Sequence, residues 1–172
     1  MERLSKLIER MVFSRINFRR VLKLALYLYI SLLVQNMLLN RFRILGVCPF
    51  VLPAVAVAAG MFEGAGRGAI FSLILGIFAD MAYVENTVMF TVLFPSIAFA
   101  SGFVSQFFIN RRFFAYMSAA LIGLLITGFI QMILTAAGDV FSNSMLRVAV
   151  LQALWALPLA PLAYYPAAHM MD

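Results

Sequence analysis

Six long apolar segments, separated by short polar connections, constrain this chain more than any other feature of its sequence. Each is close to the roughly 17 to 25 residues that an α-helix needs to cross the hydrocarbon of a bilayer. The segments cover residues 21 to 39, 47 to 62, 68 to 84, 87 to 109, 113 to 137 and 146 to 167. The pattern predicts an all-α integral membrane protein, a compact bundle of about six transmembrane helices over residues 21 to 172.

The composition supports this prediction, because 65% of the 172 residues are hydrophobic and only 12% are charged. So few charges cannot cover a water-facing surface, and the excess of apolar side chains must face lipid. A polar and glycine-rich interruption between the second and third segments predicts a tight turn; it contains Glu63, Gly64, Gly66 and Arg67. Prolines are expected to kink or end two of the helices; these are Pro49, Pro53, Pro158 and Pro161.

Residues 1 to 20 are predicted to form a basic amphipathic helix. Apolar residues recur at helical spacing from Leu4 to Ile16, and six of the thirteen lysines and arginines of the chain lie in this segment. Such a helix would lie on the membrane with its cations at anionic head groups; a partly ordered tail is the alternative. With this cluster inside the cell, ten lysines and arginines fall inside and three outside. Six spans then place both termini in the cytoplasm.

The sequence offers little chemistry for catalysis. The single histidine, His169, lies three residues from the C-terminus, and no Ser, His and acid set or metal-spaced cluster is present. We therefore expect no enzyme, no metal and no cofactor. The net charge of +6 would suggest nucleic acid in a soluble protein, but its clustering at the N-terminus indicates an anionic lipid surface instead. The single cysteine, Cys48, cannot form an intrachain disulfide.

Small residues recur at every fourth position across the second and third segments. The series is Gly60, Gly64, Gly68, Ser72 and Gly76, and it ends at Asp80. Lipid gives helices no hydrophobic drive to associate, so close contact through small residues is expected to hold them together. This predicts that segment 68 to 84 is a central helix, with Gly64 and Gly66 available for a turn that needs a positive φ. A second series marks the packed face of the fifth segment: Ala119, Gly123, Thr127, Gln131 and Thr135.

Asp80 is the only carboxylate placed well inside an apolar segment, about one turn from its outer end. A charge at the bilayer centre costs at least about 2.5 kcal/mol, so this side chain should face protein or water. Three interpretations stay open: an anchor hydrogen-bonded to neighbouring spans, a contact for a ligand or an ion, and a protonated neutral side chain. The amides Gln35, Asn36, Gln131 and Gln152 add donors and acceptors within the spans. Gln35, Gln131 and Asp80 are the candidate contacts for a partner or a ligand.

A proline, a glycine-containing turn and a helix with a late aspartate follow one another over residues 49 to 83. They are Pro49, then Glu63 and Gly64, then GAIFSLILGIFADMAY at 68 to 83, with Gly68, Gly76 and Asp80. This order resembles the bacterial rod shape-determining protein MreD family. The chain length, the six-segment profile and the polar pair Gln35 and Asn36 agree with it. The chain departs from the family after the aspartate, where a glycine is usual and residues 85 to 88 read ENTV.

The resemblance implies a non-enzymatic scaffold in the bacterial inner (plasma) membrane, part of the elongation machinery that builds side-wall peptidoglycan and regulates cell shape. Its partners would be MreC, MreB filaments and the wall-synthesising enzymes, met through helix-packing surfaces. The family is also similar in fold to the substrate-binding S components of energy-coupling-factor vitamin transporters, so a solute-binding module is the alternative. S components usually carry an AxxxA surface in the first span, whereas here that spacing occurs in the second, at Ala54 and Ala58.

Overall fold

The computed structural model of the chain describes residues 18–39, 41, 47–83, 88–107, 113–138 and 143–171. The predicted amphipathic helix over residues 1 to 20 lies outside this part, apart from its last three residues, which belong to the first helix. Helices make up the regular structure of the described residues, and no β-strand occurs among them. The prediction of an all-α chain is confirmed.

The bounds of the helices follow the apolar segments closely. The α-helices are α1 Phe18–Leu33, α2 Leu52–Glu63, α3 Ala65–Tyr83, α4 Met89–Phe107, α5 Phe113–Gly138, α6 Asn143–Ala156 and α7 Ala160–Met171. A π-helix over Val34–Leu39 extends α1, and a 3₁₀ turn over Leu157–Leu159 joins α6 to α7. The sixth apolar segment is therefore divided at Pro158, because proline has no N–H to donate and its ring clashes with the preceding turn.

The second segment forms a shorter helix than predicted. Pro49 lies before α2 instead of inside it, and Pro53 occupies the first turn of α2, where the missing N–H costs nothing. The resulting helix has 12 residues and is about 18 Å long, against about 30 Å of bilayer hydrocarbon. The prediction that every apolar segment is a helix of nearly spanning length is therefore wrong for α2.

Three helical stretches in the described part of the chain are long and apolar enough to cross a membrane. They are Ala65–Ala82, Phe113–Leu134 and Arg147–His169, the last of which runs through the 3₁₀ turn. Three further apolar helical stretches are shorter: Val21–Met37, Leu52–Glu63 and Met89–Ser105. By length and composition, the fold thus has three helices that could span a bilayer.

The centre of the bundle is α2. All of its residues are buried, and α3, α4, α5 and α7 pack around it. The prediction that segment 68 to 84 is the central helix is wrong, since α3 leaves a row of large side chains from Ile70 to Met81 exposed. The reason is side-chain size: α2 is built mainly from alanine, valine and glycine, which let neighbouring helices approach it from every side.

Candidate packing and anchoring site

α2 and α3 are joined by a single residue, Gly64. Its φ is 86° and its ψ is 167°, a backbone conformation that glycine adopts readily and other residues rarely do. The Gly64 N–H donates to the carbonyl of Gly60 at 3.0 Å, and the Gly68 N–H donates to the carbonyl of Gly64 at 2.9 Å. Gly66 lies within α3, and a Cβ atom there would have no neighbour within 4 Å. The turn expected at this position is present, and it uses Gly64 alone.

The four-residue series of small residues lies in two successive helix contacts. A Cβ atom on Gly68 would stand 2.5 Å from the Cα atom of Gly60, so the backbones of α3 and α2 touch there. A Cβ atom on Gly76 would overlap the backbone carbonyl of Phe90, at the start of α4. Ser72, between them, is fully buried. Gly68 thus packs α3 on α2, and Gly76 packs α3 on α4.

Two other glycines differ in how tightly they are packed. Gly102, which the sequence analysis missed, brings α4 onto the turn between α2 and α3: its Cβ atom would lie 2.6 Å from the Ala65 backbone nitrogen. Its four-residue spacing from the buried Ala98 is the signal that could have revealed it. Gly123, which was predicted as a packing residue, is looser, since a Cβ atom would lie 3.1 Å from a methyl group of Val57. Side chains, not backbone, limit the approach of α5.

Asp80 lies one turn before the end of α3 and is only 8% exposed. One carboxyl oxygen accepts a hydrogen bond from the Phe90 N–H at 2.9 Å. The other accepts from the Thr91 N–H at 2.7 Å and from the Thr91 hydroxyl at 2.6 Å. These N–H groups belong to the first turn of α4, where a helix has no internal acceptors and its dipole favours negative charge. Asp80 therefore caps α4 from the neighbouring helix, as the anchor interpretation requires.

Gln35 connects the π-helical end of α1 to the segment that leads into α2. Its side-chain nitrogen donates to the carbonyl of Pro49 at 3.0 Å, and its oxygen accepts from the Val51 N–H at 2.9 Å. The side chain is 1% exposed, so both halves of the amide are used inside the protein. Gln35 thus satisfies backbone groups of a buried, non-helical segment.

Gln131 lines a small cavity between α5, α6 and the start of α2. Thr127 and Gln152 also line it, and its volume of about 10 Å³ has room for about one water molecule. The three predicted contact residues therefore lie at different places in the bundle. Gln35 bonds to the segment before α2, Asp80 bonds to the start of α4, and Gln131 lines this cavity. They do not converge on one ligand site.

Two tyrosines that the sequence analysis did not single out connect α7 to the rest of the bundle. Tyr27 donates its hydroxyl to the carbonyl of Ala163 at 2.9 Å. The Tyr116 hydroxyl lies between two carbonyls, at 3.0 Å from that of Ala160 and 3.2 Å from that of Ala54, and its single proton is shared between them. Both rings are almost fully buried. A tyrosine inside an apolar segment must find a partner for its hydroxyl, and this is the signal that could have marked them.

The turn between α2 and α3 also holds a buried acidic residue. Glu63 is 8% exposed, and one of its oxygens lies 3.9 Å from a guanidinium nitrogen of Arg67, one turn further along the chain. The Arg67 side chain is 62% exposed. A separation of 3.9 Å is too long for a hydrogen bond, so this pair interacts through charge alone.

The fold and these contacts define a class of protein: a helical bundle whose helices touch through glycine and are linked by buried side chains bonded to backbone. In the described part of the chain, no group of three or more His, Cys, Asp or Glu residues could hold a metal ion. Comparisons with protein-family models, with curated proteins and with solved structures find no match.

Proposed function

We propose that this protein is a six-span integral protein of the bacterial inner membrane that acts as a non-enzymatic scaffold of the cell-elongation machinery. Both termini lie in the cytoplasm, and the basic segment 1 to 20 binds anionic lipid. The resemblance of residues 49 to 83 to the MreD family motivates the proposal. Three helices of sufficient length and hydropathy support the membrane location.

The observation that carries the proposal is the use of buried polar side chains inside the bundle. Asp80, Gln35, Tyr27 and Tyr116 all hydrogen-bond to backbone groups of other segments. A solute-binding protein instead needs polar side chains that converge on a pocket. Polar groups that are used in internal contacts hold the helices in one arrangement. A fixed arrangement suits a protein that binds its partners on its outer faces.

One face of α3 is available for such contacts. Its large apolar side chains are between 38% and 80% exposed along the helix: Ile70, Leu73, Ile74, Ile77, Phe78 and Met81. In a bilayer this face meets either lipid or another transmembrane helix. In the proposed scaffold, transmembrane helices of MreC and of the wall-synthesising enzymes pack on apolar faces of this kind.

The short α2 fits six crossings if the residues before it also lie at membrane depth. Val47, Pro49, Phe50 and Val51 are buried although they are not helical. Non-helical backbone is tolerated at this depth where protein covers it, and Gln35 satisfies the Pro49 carbonyl and the Val51 N–H. Residues 47 to 63 would then cross as one unit.

Two exposed arginines test this crossing. In a Cys48→Ser background, Arg41→Cys should react with a membrane-impermeant maleimide added to intact spheroplasts. Arg67→Cys should react only after the membrane is permeabilised, since α2 separates the two positions. Labelling of both cysteines from the same side would show that α2 does not cross, and the six-span topology would be wrong.

Affinity purification from native membranes in mild detergent tests the scaffold role. We expect the tagged protein to recover MreC and wall-synthesising enzymes, and a tagged multi-pass protein of similar size, expressed at the same level, to recover neither. Recovery of a coupling membrane subunit with paired ATPases would overturn the proposal.

Recovery of a coupling subunit with paired ATPases would support a second candidate function, that of the S component of an energy-coupling-factor transporter. The one observation in its favour is a groove of about 380 Å³ between α4 and α5, within the range of about 300 to 1,000 Å³ for small-molecule pockets, although no charged side chain lines it.

A further inference from the structure

The groove between α4 and α5 separates two consecutive helices. α4 packs closely on α2 and α3 but touches α5 only sparsely. The α4 wall runs from Leu93 to Ser105 and the α5 wall from Ala115 to Ile126, while Val57 and Met61 of α2 form the floor. Exposed wall residues, among them Ile122 at 57%, leave the groove open along its side. In the proposed membrane location, that opening faces the hydrocarbon.

The dimensions of the groove indicate what can fill it. At 1.5 Å per residue the α4 wall is about 18 Å long. An α-helix of that length and about 10 Å wide occupies on the order of 1,400 Å³, well above the groove's volume of about 380 Å³.

The volume of the groove indicates how many carbon atoms the occupant has. A cavity of about 150 Å³ holds benzene, with six carbons. Scaled to about 380 Å³, the groove holds about fifteen carbons, the size of one fatty acyl chain.

The lining matches such a chain in polarity. None of the residues that line the groove is charged. Three of the four serines there, Ser96, Ser101 and Ser118, donate their hydroxyls to carbonyls of their own helices. The fourth, Ser105, has a buried hydroxyl oxygen that makes no hydrogen bond within the described residues. The walls are therefore uncharged and mainly apolar, and an empty groove would lose the dispersion contacts of its lining. We propose that the groove between α4 and α5 binds one acyl chain of a membrane phospholipid.

A chain-length series tests the proposal on the unmodified protein. The protein is purified in a steroid-based detergent, which has no alkyl tail to compete, and is titrated with phosphatidylcholines of increasing chain length. Native mass spectrometry then counts the lipid bound. We expect one lipid per protein, with affinity rising with chain length through added dispersion contacts and levelling off near about fifteen carbons. The proposal would be wrong if the number of bound lipids did not level off at one, or if affinity did not level off with chain length. It would also be wrong if no lipid bound, or if a co-purified protein occupied the groove.

Substitutions in the wall give a second test. Ala100→Phe on α4 and Ser118→Phe on α5 each place a ring where the acyl chain would lie, and the overpacking should lower lipid affinity at least about tenfold. Ala25→Phe, on an exposed position of α1, is the matched control and should bind lipid as the wild type does. Equal affinity in all three variants would contradict the site. The lipid site rests on the membrane location but not on the partners, so loss of MreC binding would leave it unaffected.

Discussion

Alanine at two glycines of the same helix should have opposite effects on stability. A Cβ atom at Gly76 would overlap backbone atoms of Phe90 and lie 2.8 Å from the Cα atom of Thr91. A Cβ atom at Gly66 would meet nothing within 4 Å. Both positions lie in α3, Gly66 in its first turn and Gly76 in its interior, so the pair compares an open position with a close contact in one helix.

The magnitudes follow from these two environments. Alanine in place of a glycine inside a helix gains about 1 kcal/mol, and Gly66→Ala, in the first turn of α3, should show part of this gain. Overpacking costs about 1 to 3 kcal/mol, and Gly76→Ala should lie at the upper end because the opposing atoms are backbone and cannot rotate away. Moving the start of α4 also lengthens the hydrogen bonds that Asp80 accepts. We expect Gly76→Ala to lower the free energy of unfolding by about 2 kcal/mol, which places it about 2 to 3 kcal/mol below Gly66→Ala.

Unfolding by SDS titration in mixed micelles measures this difference, and the single tryptophan, Trp155, reports it by fluorescence. Gly76→Leu, with a larger side chain, should abolish accumulation in the membrane. A Gly76→Ala protein as stable as the Gly66→Ala protein would refute the conclusion that α3 and α4 touch through Gly76.

Substitutions at three further residues test the buried polar contacts by the same titration. Asp80→Leu should cost about 2 to 4 kcal/mol by leaving two N–H groups of α4 without acceptors, and Asp80→Asn about half as much because one acceptor oxygen remains; normal accumulation and cell shape in both variants would contradict the anchor role. Tyr116→Phe should lower stability by about 1 kcal/mol through the loss of its bonds to two carbonyls, whereas Tyr29→Phe, at an exposed position, should have no effect. Gln35→Leu should cost about 2 kcal/mol, and a smaller loss than for Tyr116→Phe would argue against its role before α2.

The helices and the turn could be predicted because their causes are local. Each apolar segment forms helix since a backbone surrounded by apolar side chains satisfies its hydrogen bonds within the segment. The break at Pro158 follows from the missing N–H, and the turn at Gly64 from a backbone conformation that glycine adopts readily. The late start of α2, at Leu52, could not be predicted because the residues before it are as apolar as the helix itself.

Contacts between segments required the tertiary structure. Asp80 bonds to residues ten and eleven positions later, and the hydroxyl of Tyr27 to a carbonyl 136 positions away. The burial of α2 at the centre, instead of α3, and the groove between α4 and α5 are of the same kind. An apolar helix with small residues on several sides can pack against many neighbours at similar cost. Which neighbour it meets depends on the fit of all the helices at once, and no residue pattern within a single segment contains that information.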